Sequence, residues 1–232
     1  MTTEPEVLQI QVSATESVTA LLYLAAKGGR LGATLILGHG AGADQTSSFM
    51  RLYAGGLARR GFDVLTFNFV YKEKRRGAPD QKAKLESCYR SVIDAARAHR
   101  KLKANQLMIG GKSMGGRIAS QVAAAVAGDL AGLVLLGYPL HPPGKPEQLR
   151  AAHLKDISAP LLFVQGSRDA FGSPDELRSV IKEQKLRATL YLIEGGDHSF
   201  KVPKSTGLSQ PDVYEATMDE ITRWAKAETG SQ

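Results

Sequence analysis

The stretch Leu107–Ser120, LMIGGKSMGGRIAS, admits two interpretations that imply different chemistry. Its GGKS looks like the end of a phosphate-cradling loop. Gly111-Lys112-Ser113-Met114-Gly115 instead matches G-x-S-x-G, the turn that lifts a serine above a sheet. A phosphate loop places its first glycine at position 106, and that residue is Gln106. The residues that follow, LMI, form an apolar run of strand type where such a loop must be exposed. A phosphate loop is therefore excluded.

What remains is a strand, QLMIGG, then Ser113, then a small-residue helix, MGGRIASQVAAAVAG, ending at Gly128. The flanking glycines are required because side chains there would collide with the strand and the helix. As a bare pattern G-x-S-x-G is weak, since chance supplies about 0.1 matches in a chain of this length. Its context strengthens it: a strand before, a helix after, and Gly116 at the tight helix entry. The Met114 N–H then stands at a helix N-terminus, where it can face a developing oxyanion.

A serine hydroxyl needs an imidazole to take its proton, and the imidazole needs a carboxylate to fix its tautomer. Where the serine stands in a G-x-S-x-G elbow, the expected order is serine, acid, histidine. The strand PLLFVQG is followed by SRDAFG, which puts Asp169 just past a strand end. ATLYLIEG is followed by GDHSF, which puts His198 just past the next. Asp197 adjoins His198 and is expected to point elsewhere, while His99 lies within a helical pattern. A second oxyanion donor should come from the loop after ATLILG, where HGAGADQTSS makes the Ala41 N–H the candidate. The alternative is that Gly40 and Gly42 only form a tight turn and that Asp44 or Thr46 caps the next helix. His39 is expected to hold this loop by hydrogen bonds rather than to act as a base. His39, Gly40, Lys112 and His141 are the further residues expected at the substrate pocket.

Around these motifs the chain alternates strand and helix. VLQIQV and SVTALLYLA suggest an antiparallel hairpin, and ATLILG a strand covered on both faces. Phe49, Leu52, Tyr53 and Leu57 share helical spacing up to Gly61. FDVLTFNF is a strand, followed by a basic loop and a long helix from about Gln81 to Lys103. AGLVLLGY is another strand; SPDELRSVIKEQ carries a Ser173 cap with Pro174 in the first helical position. PDVYEATMDEITRWAKA is the last helix, and ETGSQ is expected to fray. This order predicts an α/β fold: a mostly parallel sheet of about eight strands with helices on both faces and functional residues at the carboxyl ends of the strands. One domain over residues 1–232 is expected. Only a short cap-like excursion, about 139–159, lies over the site; Pro142 and Pro143 stiffen it, and the pocket should be open and shallow.

With 232 residues and 43% hydrophobic content the chain can bury one good core. It has no 18-residue apolar run, so no membrane span is expected, and MTTEPEVLQI lacks the features of a secretory signal. The single cysteine, Cys88, fits a packing role in a reducing compartment, and a cytoplasmic location is expected. The net charge of +7 is spread over short clusters without interleaved aromatics, and no Cys/His zinc spacing occurs. Neither nucleic acid, nor metal, nor a cofactor is expected. Bases near the strand ends (Lys72, Lys74, Arg75, Arg76, Lys112 and Arg168) raise the idea of an anionic acyl or leaving group.

Taken together, LGHGAGA, GGKSMGGR, GYPLHPPGKPE, LFVQGSRDAFG and GGDHSF resemble, from about Leu8 to Ala227, α/β-hydrolase-fold proteins of the dienelactone-hydrolase-related group. That group includes the testis-expressed protein 30-like proteins and the hydrolase-like subunit of a chromatin acetyltransferase complex. The resemblance implies an α/β-hydrolase fold with a minimal cap, Ser113, Asp169 and His198 as a catalytic triad, and Ala41 with Met114 as oxyanion donors. Dienelactone hydrolases proper use a cysteine where Ser113 stands, so lactone substrates are not implied. The expected activity is that of a carboxylesterase-like serine hydrolase acting on a small ester, thioester or related acyl compound. The alternative is a catalytically silent protein-interaction module on the same fold.

Overall fold

The computed structural model describes residues 4–26, 28–125 and 129–230. Eight strands join in one sheet: β1 (Glu6–Ser13), β2 (Glu16–Tyr23), β3 (Ala33–Gly38), β4 (Asp63–Phe67), β5 (Gln106–Lys112), β6 (Gly132–Leu136), β7 (Leu161–Gly166) and β8 (Ala188–Ile193). Their spatial order is β1-β2-β4-β3-β5-β6-β7-β8. Only β2 runs against its neighbours; the pairings from β4 through β8 are all parallel. The expected hairpin at the start is β1–β2, in which Ile10 faces Val18.

Among the described residues six helices accompany the sheet: α1 (Ser48–Arg59), α2 (Val70–Glu73), α3 (Lys82–Ala98), α4 (Met114–Ala125), α5 (Pro174–Glu183) and α6 (Gln210–Thr229). The central strands are buried at every position, and mostly apolar, because successive side chains point to opposite faces and both faces are covered. On one face Leu35, Met108, Val134, Leu136, Leu162 and Val164 pack against α1 and α6 through Tyr53, Leu57, Ile221 and Trp224. On the other, Ile36, Ile109, Leu133, Leu135 and Phe163 meet α3, α4 and α5 through Tyr89, Val92, Ile118, Leu177 and Val180. Cys88 belongs to this second layer, and burial pushes its thiol up to about 12, consistent with a packing role.

Three local expectations change. The basic segment after β4 is not all loop, because Val70–Glu73 forms a single turn of helix with Val70 and Tyr71 buried. One turn is too short to display a helical period. The long helix ends at Ala98, five residues before the predicted Lys103: His99 turns extended, and the chain folds back so that Leu102 is buried. The end of α4 predicted at Gly128 lies outside the described residues. In the expected frayed tail, Glu228 and Thr229 remain helical and Gly230 closes α6 in the left-handed conformation. The excursion after β6 contains one 3-10 turn, Leu154–Asp156, and no longer helix. The Ser173 cap of α5 is as read, and the structure completes it as a capping box: Ser173 Oγ accepts from Glu176 N and the Glu176 carboxylate accepts from Ser173 N.

Candidate active site

β5 delivers Ser113 to the carboxyl edge of the sheet, and α4 begins at the next residue. Ser113 has φ 51°, a left-handed conformation that a non-glycine residue rarely adopts and that sharpens the turn. The turn is possible because β3 and α4 approach to backbone distance. A Cβ on Gly115 would run into the backbone of Gly38 and lie 2.8 Å from the His39 carbonyl oxygen. The Ser113 N–H is bound to the Leu136 carbonyl oxygen, 2.9 Å, which anchors the turn to β6.

Asp169 and His198 arrive from the loops after β7 and β8. His198 Nε2 lies 2.9 Å from Ser113 Oγ, and His198 Nδ1 lies 2.8 Å from Asp169 Oδ2. Because the carboxylate only accepts, Nδ1 carries the proton and Nε2 presents its lone pair to the serine hydroxyl. The Asp169 side chain is fully buried, with Oδ1 accepting from the Phe171 N–H (2.8 Å) and Oδ2 also from the Gln165 amide (2.9 Å). Gln165 is itself buried. Its oxygen accepts from the Tyr138 N–H and its amide also donates to the Gly172 carbonyl. The Phe171 ring stacks on the imidazole at 4.1 Å between centroids. Asp197 Oδ1 accepts from the N–H groups of Ser199 and Lys201 and so shapes the His198 loop.

The loop after β3 is held from inside. His39 is buried, accepts from the Phe69 N–H at Nε2 (3.2 Å), and donates from Nδ1 to the Gly40 carbonyl (2.8 Å). Burial lowers its pKa to about 4, so it stays neutral; its role is structural, as expected, and it does not line the cleft. The Tyr71 hydroxyl donates to the Ala41 carbonyl, 2.7 Å. Asp44 caps no helix: its Oδ1 accepts from the Thr46 N–H within the loop, and Ser47 precedes α1 without a side-chain cap.

These groups surround an open cleft of about 580 Å³ whose wall includes Gly40, Ala41, Lys112, Ser113, Met114 and His198. Lys112 lines it as expected. Its ammonium donates to the His198 carbonyl oxygen and lies 5.2 Å from the Phe200 ring centroid. Burial lowers its pKa to about 8, against the opposing pull of Asp169 and Asp197. His141 is not in the wall; it is buried behind the excursion, beside Pro142 O and Glu176 Oε1, because the chain turns inward there. Of the bases expected to rim the site, Lys74 is paired with Glu16 and Arg76 with Asp80, and only Lys112 of that set lines the cleft. Lys82, Arg117 and Arg150 line it instead.

A family model described as an alpha/beta hydrolase domain matches residues 32–226. The chain belongs to the alpha/beta hydrolase domain family. Among solved structures, it is similar to an α/β serine hydrolase without lid from Xanthomonas campestris, at 19% identity over 97% of this chain and 96% of that one, TM-score 0.73. Dienelactone hydrolase from Anabaena variabilis matches at 19% identity over 96% and 97%, TM-score 0.72. Est1E from Butyrivibrio proteoclasticus matches at 14% identity over 95% and 99%, TM-score 0.73. At such identities the likeness establishes the α/β-hydrolase fold. Among the described residues, no helix is long and apolar enough to cross a membrane.

Proposed function

We propose that this α/β-hydrolase-fold protein is a carboxylesterase-like serine hydrolase that cleaves a small ester, thioester or related acyl compound through an acyl-enzyme on Ser113. The observation that carries this reading is the continuous hydrogen-bond chain from Ser113 Oγ through His198 to a buried Asp169 at an open cleft. In the first half-reaction Ser113 Oγ bonds to the carbonyl carbon while its proton passes to His198 Nε2. Asp169 stabilises the imidazolium that forms. The bond to the leaving group then breaks, and the leaving atom takes that proton. Water next gives a proton to His198 and its oxygen to the carbonyl carbon; the Ser113–acyl bond breaks, the proton returns to Oγ, and the acid departs.

The Met114 N–H, at the start of α4, has no acceptor within its own helix. The Ala41 N–H shares a planar trans peptide with the Gly40 carbonyl, so the two point in opposite directions. Since His39 holds that carbonyl inside, the Ala41 N–H is turned away from the core. Both N–H groups belong to residues of the cleft wall and serve, in this reading, as the oxyanion donors. The motifs LGHGAGA, GGKSMGGR and GGDHSF support a finer placement in the dienelactone-hydrolase-related group, with an alcohol nucleophile in place of a thiol.

A fluorophosphonate probe tests the reading. It should label the wild-type protein and not Ser113→Ala. Absence of labelling in both, with the folded state intact, would instead favour a non-catalytic interaction module.

A further inference from the structure

Charged groups inside a cleft are ordinarily paired, because an unpaired buried charge is costly. The wall on the α4 side of Ser113 departs from that rule. Arg117 lies in the first turn of α4, its N–H bonded to the Ser113 carbonyl oxygen at 3.0 Å, and it lines the cleft together with Ser113. Arg150, from the excursion after β6, lines the same cleft. Among the described residues neither guanidinium is ion-paired, and Arg117 Nε is buried without a hydrogen-bond partner. Burial, followed by the neighbouring Arg150 charge, lowers the Arg117 pKa, while Tyr138 and Glu86 pull it the other way.

Two acidic side chains bear on this wall, and among the described residues neither forms an ion pair with Arg117 or Arg150, although Glu86 acts on Arg117 at longer range. Asp80, also in the wall, gives Oδ1 to Arg76, while its Oδ2 is buried without a partner. Glu86 faces Lys82 at 3.5 Å and Arg90 at 4.0 Å. The excursion itself is held by other bonds: the Tyr138 hydroxyl donates to the Arg150 carbonyl and the Arg150 N–H to the Leu140 carbonyl. Its backbone therefore accounts for its position, and the Arg150 guanidinium is left over.

We propose that Arg117 and Arg150 form an anion subsite one helical turn from Ser113, and that the acyl compound carries a carboxylate or phosphate held there by forked guanidinium hydrogen bonds. This deepens the reading of the cleft as a serine-hydrolase site and rests on it. Asp80 Oδ2, in the wall of the same cleft, is an acceptor for a hydroxyl or amide of the ligand. Phosphate and carboxylate share the planar, bidentate recognition that arginine provides.

The test compares p-nitrophenyl butyrate with p-nitrophenyl hemisuccinate, in which a carboxylate replaces the terminal methyl, and with the ester of 3-phosphonopropionate. The wild-type enzyme should favour at least one anionic ester in kcat/KM, and that preference should fade as sodium chloride is raised. Arg117→Gln and Arg150→Gln should each reduce the anionic-to-neutral ratio by about 10- to 100-fold, with Arg117→Lys retaining part of it. Whichever ester loses more identifies carboxylate or phosphate as the preferred anion. A wild-type preference for butyrate, or a ratio unchanged by both substitutions, overturns the subsite. Should no ester be cleaved at all, the hydrolase reading fails separately. Calorimetric binding of succinate and 3-phosphonopropionate to Ser113→Ala protein, with and without Arg117→Gln, then decides the subsite alone: binding that needs Arg117 supports it, and absence of binding or indifference to Arg117 rejects it.

Discussion

The two walls of the Ser113 cleft differ in how completely their polar groups are partnered. On the His198 side each polar atom has its bond: both Asp169 oxygens accept, both imidazole nitrogens are engaged, and Gln165 is tied to Asp169, Tyr138 and Gly172. On the α4 side Arg117 Nε and Asp80 Oδ2 have none. A fully bonded network fixes its members before any ligand arrives, which is what a preorganised reaction centre requires. Unfilled donors and acceptors describe a surface that is completed by what binds there. The difference separates groups that act on a ligand from groups that recognise it.

Substitutions on the bonded wall should cut turnover, in a descending series. Ser113→Ala removes the nucleophile and should lower kcat by a factor on the order of 10⁶, read from ester hydrolysis under saturating substrate. Asp169→Asn keeps the shape but offers the imidazole a donor, and so favours the wrong tautomer; a loss of about 10⁴ in kcat is expected. Gln165→Leu strips the Tyr138 N–H of its acceptor and Asp169 of a donor. It should cost about 1–3 kcal/mol in urea unfolding and also reduce kcat, whereas a purely structural glutamine would leave kcat untouched.

The smallest effect concerns Lys112. As pH rises through about 8 its ammonium loses the proton, the charge-assisted bond to the His198 carbonyl weakens, and kcat should fall by about threefold. Lys112→Met should lack that alkaline limb. The same group contributes to stability with a definite sign. Its folded pKa lies below the ordinary 10.5, so between about 8 and 10.5 the unfolded chain binds more protons. This term therefore makes the protein more stable as pH rises through that window. The difference in unfolding free energy between wild type and Lys112→Met, measured at pH 7.5 and pH 10, should move in favour of the wild type. A difference independent of pH would show that Lys112 is not titrating there, and would remove it from the bonded wall.

Much of the bonded wall was legible in the chain. Ser113, Asp169 and His198 each follow a short apolar run and precede glycine or a turn, and strand, turn and helix are local patterns. His39 also follows such a run, and the same local pattern would admit it as a base. The fold separates the two histidines by their surroundings: burial keeps His39 neutral between two backbone partners, whereas His198 meets a carboxylate. Gln165 left a faint trace as the one polar residue in LLFVQG, and Tyr71 left none, because its value lies in reaching a loop thirty residues earlier. Arg117 was within reach of inspection, since it stands four residues after Ser113 in a helical segment. His141 and the basic run at 72–76 were misplaced at the pocket because nothing in a linear pattern tells which way an irregular segment turns.

By itself, the order of apolar runs, glycines and helix starts determined a parallel sheet, the sharp turn at Ser113, and the edge at which the acid and the histidine emerge. Those features arise from steric and hydrogen-bonding rules that act over a few residues, so they are written locally. Which polar groups find partners was decided only when segments far apart in the chain packed together. Arg117 and Arg150 became a pair because α4 and the excursion after β6 converge on one cleft, and the strength of an electrostatic interaction depends on distance and burial, neither of which a linear order contains.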